Sequence, residues 1–149
     1  MVVEYEKTLL AVLLVCFGIA VSAAESVWMT DFAAARKKAA ESGKNMLVNF
    51  TGSDWCPWCI RLQKEVFSQK EFQDFAAKNL VLVIVDFPRR KWQTPAQKRA
   101  NEELRKLYGV EGYPTVLLLT PKGMVKAQLG YEPGGAAKYV EKLRKLMEK

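Results

Sequence analysis

The chain has 149 residues, half of them hydrophobic, a formal net charge of +7, three cysteines and no histidine. That length fits one ordinary domain with a single core and leaves no room for a second of usual size. Without an imidazole, histidine-based nucleophilic catalysis and histidine-ligated metal sites are excluded within the chain, and the lysines and arginines, scattered among glutamates, read as solvated surface rather than a nucleic-acid interface.

An apolar run from Leu9 to Val21 comes first. It has the length of a signal-peptide core and falls short of the roughly 20 residues a spanning helix needs. Val21-Ser22-Ala23 and Ser22-Ala23-Ala24 supply the small residues a signal peptidase accepts, whereas Glu4, Glu6 and the lone Lys7 make a poor basic start. Residues 1–24 therefore read as a signal peptide or an N-terminal anchor, the anchor running through residues 9–21. Val15, ahead of Cys16, argues against a lipoprotein cleavage site there. Export makes the protein periplasmic or secreted, in a compartment where disulfides persist. Cleavage leaves only Cys56 and Cys59.

From Val27 to Ser42 the pattern is helical, with Thr30 or Asp31 as cap, Phe32, Ala35 and Ala39 on one side and Gly43 as stop. Met46–Phe50 reads as a short buried strand, and Thr51-Gly52-Ser53-Asp54 turns the chain into Cys56-Pro57-Trp58-Cys59. Ile60, Leu62, Val66 and Phe67 then mark a helix, and Ser68 is placed to cap a second one holding Phe72, Phe75 and Ala76. Leu80–Val85 is a continuous apolar run, as in a central strand covered on both faces. Asp86–Pro95 is a loop with a basic and aromatic cluster, Arg89, Arg90, Lys91 and Trp92, that reads as a partner-selecting patch or as solvated loop. A helix over 96–108 carries Ala96, Ala100, Leu104, Leu107 and Tyr108 as its stripe, and Gly109 ends it. Val116–Leu119 is a further buried strand. Pro121-Lys122-Gly123 turns into an edge strand over Met124–Leu129, and a last helix from Gly135 presents Tyr139, Val140, Leu143, Leu146 and Met147. Helical crossovers between apolar strands imply parallel pairing, and the Pro-Lys-Gly turn an antiparallel hairpin.

Two cysteines separated by two residues can bind metal, brace a loop or exchange disulfides. A zinc site needs about four ligands, which two cysteines without histidine do not supply, so no metal is expected. Strand, turn, cysteine, helix places the pair where helix N–H groups favour a thiolate on the first sulfur, and a thiolate is the nucleophile of disulfide exchange. Pro57 suits a first helical turn, which has no use for its N–H.

The Trp-Cys-x-x-Cys after a buried strand, with Gly112-Tyr113-Pro114-Thr115 before a later one, resembles the thioredoxin superfamily across residues 27–149. The Gly-Ser-Asp-Trp-Cys approach is similar to exported bacterial thioredoxin-like proteins and to the C-terminal domain of thiol:disulfide interchange transporters; Gly-Tyr-Pro-Thr resembles protein disulfide isomerase domains. The resemblance implies a three-layer α/β/α fold whose mixed, mainly parallel central sheet ends in an antiparallel hairpin. It implies a thiol–disulfide oxidoreductase, thioredoxin-like reductase or isomerase, with Cys56 as exposed nucleophile, Cys59 as buried resolving thiol and a Cys56–Cys59 disulfide. It implies a cis Pro114 facing that disulfide and a client groove walled by Trp55, Pro57, Trp58, Tyr113, Pro114 and Thr115. No cofactor is expected, because the dithiol carries the electrons. The partners are protein thiol or disulfide clients and an upstream redox partner, and the protein is expected to be a monomer. Two departures stand out. Asn49 falls where the family has a buried acid, and Asn cannot take a proton; the family's partner lysine has no match in Leu80–Val85. With Trp58 rather than a cation between the cysteines, the Cys56 thiol should lie below the usual thiol range without being extreme. The alternative is a non-enzymatic thioredoxin-fold binding module with a structural CxxC disulfide.

Overall fold

The computed structural model describes residues 27–148; the signal peptide or anchor expected in residues 1–24 lies outside them. These residues form five strands and five α-helices, in the order β1 Trp28–Met29, α1 Phe32–Ser42, β2 Asn45–Thr51, α2 Pro57–Leu62, α3 Lys70–Asn79, β3 Leu80–Asp86, α4 Pro95–Leu107, β4 Thr115–Leu119, β5 Val125–Leu129 and α5 Gly135–Met147. α2 continues without a break into a π turn, Gln63–Phe67. The strands lie in the order β1-β3-β2-β4-β5. Among the described residues no helix is long and apolar enough to cross a membrane.

The sheet has two faces because side chains alternate along each strand. On one face Leu47, Leu82, Val116 and Leu118 meet the π turn, α3 and α5 through Phe67, Phe72, Tyr139 and Leu143. On the other, Met46, Val48, Phe50, Val83 and Leu119 meet Ala35 and Ala39 of α1. This is the three-layer mixed sheet expected. β1–β3 and β2–β3 are parallel, β2–β4 and β4–β5 antiparallel. The crossover through α4 does not give the parallel pairing that a helical connection suggests. It carries the chain past β3 to the far side of β2, and β4 enters from the active-site end.

Three local expectations are corrected. The helix starts at Phe32, not near Val27, because Trp28 and Met29 pair with Leu82 and Val83; two residues are too few for any periodicity to show. Asp31 is the cap, accepting the Ala34 N–H at 3.0 Å. Ser68 does not cap α3: its hydroxyl donates to the Lys64 carbonyl, closing the π turn, and α3 starts without a side-chain cap bond. The α4 stripe is rotated. Leu107 is 72% exposed, and the buried residue is Asn101, whose amide donates to the Asp86 carbonyl at 2.8 Å and accepts from Gln97. A polar residue faces inward there because the end of β3 offers a carbonyl that needs a donor.

Phe67 joins the π turn to the core, with its ring 5.0 Å from Trp28, 4.8 Å from Phe72 and 5.8 Å from Tyr139. Phe67→Ala is expected to cost about 3–5 kcal/mol, read as a lowered urea midpoint at constant slope. A change below about 1 kcal/mol would mean this aromatic cluster is not what seats the π turn.

Candidate active site

The end of β2 delivers the site. After Thr51 the chain makes a tight turn in which the Cys56 N–H donates to the Gly52 carbonyl at 2.9 Å. Cys56 is the N-cap of α2, with extended backbone, and Pro57 sits in the first turn. A cap residue's side chain accepts one of the helix's free N–H groups; here that acceptor is sulfur, and the Cys59 N–H reaches Cys56 Sγ at 3.3 Å. Because α2 runs on through the π turn, the cysteine caps a helix that continues to Phe67 rather than an isolated turn. Cys56 and Cys59 form a disulfide, with Cα atoms 5.2 Å apart. The Gly52 N–H points at Cys59 Sγ, 3.5 Å away.

The expected contrast between an exposed and a buried cysteine is absent in this oxidised form: both are 4% exposed. Cys56 lies against the chain opposite, with its Sγ 3.6 Å from the Tyr113 carbonyl oxygen. The two sulfurs differ in surroundings instead. Cys56 faces Tyr113–Pro114, whose peptide bond is cis as expected. Cys59 faces inward beneath Gly52.

Trp55, Tyr113 and Phe87 form one wall. The Trp55 indole N–H donates to the Phe87 carbonyl at 2.7 Å and its ring meets Tyr113 edge-on. Arg89 stacks its guanidinium 3.9 Å over the same indole. Trp58, 52% exposed, forms the other wall with Tyr131, ring centroids 5.2 Å apart. Pro114, Arg61, Tyr131 and Pro133 complete a hollow beside it. Thr115 is buried and donates to the Gly112 carbonyl at 2.7 Å; it braces the cis bond's loop rather than lining the groove.

Asp54 engages the loop after β3. Its carboxylate accepts the backbone N–H groups of Arg89, Arg90 and Lys91 at 2.9, 2.8 and 3.0 Å. These bonds, that of Arg89 first, hold its carboxyl below the usual carboxylate range. The basic loop is thus fastened by its backbone while Trp92 stands 80% exposed. Sequence reasoning missed two further features. Tyr131, in the connection between β5 and α5, donates to Glu65 at 2.7 Å, and Arg61 binds the other oxygen of that carboxylate at 3.0 Å. The Arg61/Glu65 spacing of four residues was a visible signal; the tyrosine arriving from another element was not. The second is Ser53, whose N–H and hydroxyl both donate to Asp86.

Gly52 is small for a steric reason. A Cβ there would collide with the Trp55 indole. Gly52→Ala is expected to displace the indole from the Phe87 carbonyl and cost about 1–3 kcal/mol, with changed tryptophan emission; an unaltered spectrum and stability would show that the wall does not depend on that contact. For Asp54 the sign is fixed by its lowered pKa. Its contribution is fully present above the ordinary carboxylate range and is lost as pH falls through the lowered midpoint. The amides of Arg89, Arg90 and Lys91 should stay protected from exchange at neutral pH and open in acid, and Asp54→Ala should expose them at every pH. Equal protection in that variant would refute the clasp.

Residues 27–121 match the Thioredoxin-like family model. The chain is 37% identical over 128 residues to the disulfide bond reductase DsbH of Chlamydia pneumoniae, covering 86% of this chain and 76% of that one. A solved structure of DsbH oxidoreductase superposes with a TM-score of 0.80 at 36% identity, covering 87% and 89% of the two chains. The C-terminal domain of Neisseria meningitidis DsbD in its oxidised form shares the fold, with a TM-score of 0.56 at 21% identity over 80% of this chain and 98% of that one. With a CxxC disulfide at the start of a helix opposite a cis-proline, the chain belongs to the thioredoxin-like family and is a thiol–disulfide oxidoreductase.

Proposed function

We propose that this protein reduces disulfides in protein clients outside the cytoplasm, with Cys56 as attacking thiolate and Cys59 as resolving thiol. The observation that carries the reading is Cys56 Sγ at the N-cap of α2, accepting the Cys59 N–H and facing the Tyr113 carbonyl beside the cis bond. One sulfur is thereby prepared as an anion, and a peptide backbone lies next to it for a client to align with.

In the reductive direction the Cys56 thiolate attacks one sulfur of the client disulfide, and the other client sulfur leaves and takes a proton. Cys59 then gives up its proton and attacks Cys56 Sγ. The second client sulfur departs as a thiolate, and two electrons have passed to the client. The Cys56–Cys59 disulfide is the product, and an upstream dithiol must reduce it. Trp55, Tyr113 and Pro114 on one side, and Pro57 and Trp58 on the other, would flank the client chain.

The direction draws support from the name of the DsbH relative, a disulfide bond reductase, and from the absence of a cation between the cysteines. Residues 1–24 would export the chain or anchor it. It would act as a monomer, since one chain supplies every group of the site.

Cys56→Ser is expected to abolish reduction of an insulin disulfide, and Cys59→Ser to accumulate mixed disulfides with clients. Unchanged turnover in the first would sink the mechanism, and no trapped client in the second would favour the binding module. The equilibrium with glutathione is expected to place the pair at about −270 mV, the thioredoxin range; a value more oxidising than about −180 mV would reverse the proposed direction.

A further inference from the structure

Behind the disulfide lies a cleft of about 520 Å³, lined by Asn49, Thr51, Ser53, Cys59, Gln63 and Lys64 among others. Asn49 is only 5% exposed, on the strand that leads into the site. It follows Leu47 on the face of β2 that carries Cys59's helix, with Ile84 beside it on β3 and Val116 on β4. Its side-chain oxygen is buried and has no hydrogen-bond partner among the described residues. A buried amide oxygen without a partner is costly, and such groups are commonly completed by water where the space is polar and large enough. This cleft is both.

We propose that Asn49 is a positioning residue for the resolving step: its amide holds water in the cleft beside Cys59, and that water carries away the Cys59 proton and solvates the thiolate left behind. The inference rests on the proposed roles of the two cysteines. No buried acid is needed, because the step balances without one. Cys59 releases a proton to the cleft water, its thiolate attacks Cys56 Sγ, the Cys56–client bond breaks, and the departing client thiolate takes a proton from solvent. The Gly52 N–H, 3.5 Å from Cys59 Sγ, supplies one fixed hydrogen bond to the anion, and the hydrated amide supplies the mobile ones.

The charged and titratable groups around Cys59 set the field in which this happens. Lys64 and Lys91 line the cleft and favour the anion. Lys91 also reaches the Ser53 hydroxyl at 3.3 Å, and that hydroxyl donates to the Asp86 carboxylate at 2.6 Å, so the lysine is partly offset by Asp86. Cys56, as the other member of the pair, opposes a second negative charge until it is bonded to the client. β2 contributes no ionisable group; Asn49 acts there by polarity alone.

A chromogenic aryl disulfide reads both chemical steps in one stopped-flow trace. Attack by Cys56 releases a first coloured thiolate, and attack by Cys59 releases the second. With wild-type protein the second phase should accelerate with pH to a plateau. In Asn49→Leu, of similar size but apolar, the midpoint of that rise is expected to move up by about one pH unit, making the phase about tenfold slower near neutrality, with the plateau unchanged. Asn49→Ser, which keeps a polar atom and leaves room for water, should keep the wild-type midpoint. A role confined to packing would lower the plateau and leave the midpoint in place. An unmoved midpoint in Asn49→Leu, or an equal shift in Asn49→Ser, overturns the inference. A missing first phase in wild-type protein would instead overturn the dithiol reading beneath it. If the leucine variant does not fold, magnetisation transfer from water to the Asn49 side-chain amide protons in the native reduced protein decides: transfer supports a hydrated amide, and its absence refutes one.

Discussion

Everything at this site depends on where two backbone N–H groups point. That of Cys59 reaches Cys56 Sγ, and that of Gly52 reaches Cys59 Sγ. A sulfur anion in a largely buried place is unfavourable unless donors meet it, and the fold provides these donors without committing any charged side chain. The first requires α2 to begin at Pro57, which in turn requires β2 to end at Thr51 and the turn to close on the Gly52 carbonyl. The second requires Gly52 to lie against Trp55 with no side chain between them. The central sheet, packed on both faces, fixes the end of β2 and therefore both bonds.

The loop after β3 serves the same geometry from the opposite side. Asp54 precedes the motif in sequence and binds three consecutive backbone N–H groups of that loop. Ser53 binds Asp86 at the loop's origin, and Trp55 binds the Phe87 carbonyl. The residues leading into the cysteines are thus tied to one loop by main-chain and carboxylate contacts, not by burial of a large apolar surface. Such contacts hold a turn in place while leaving its outer face, including Trp92, in solvent.

Much of this was legible. The strands announce themselves as apolar runs, and the Trp-Cys-x-x-Cys and Tyr-Pro-Thr signals identify the family and both cysteines. Pro114 could be placed as a cis residue because the motif around it is specific. What sequence could not show depends on contacts between distant elements. β1 is only two residues long and is defined by its neighbour β3. Asn101 is polar inside a helix that hydrophobic patterning rotates the wrong way, because its purpose is to satisfy a carbonyl on another strand. Tyr131 looks like a turn residue until Glu65 is placed opposite it. The burial of Cys56 depends on Tyr113, which is far along the chain.

The placement of cations bears on the direction of electron flow. Whatever stabilises the reduced form of a dithiol, above all its thiolate, makes the pair a stronger oxidant; withholding that stabilisation leaves a better reductant. The arginines nearest the motif are both engaged elsewhere. Arg61 is bound to Glu65, and that pairing, together with Tyr131, which is the larger influence, holds the Glu65 carboxyl below its usual range and so keeps it anionic beside the arginine. Arg89 lies flat on Trp55. Neither is free to pair with Cys56, and Trp58 brings no charge. The Cys56 sulfur is left with the helix N–H groups as its donors, and on the proposed mechanism these make it nucleophilic without making the dithiol a strong oxidant. That balance fits the proposed reductive direction, and on that reading the remaining demand falls on Cys59, whose proton would have to leave before the client could.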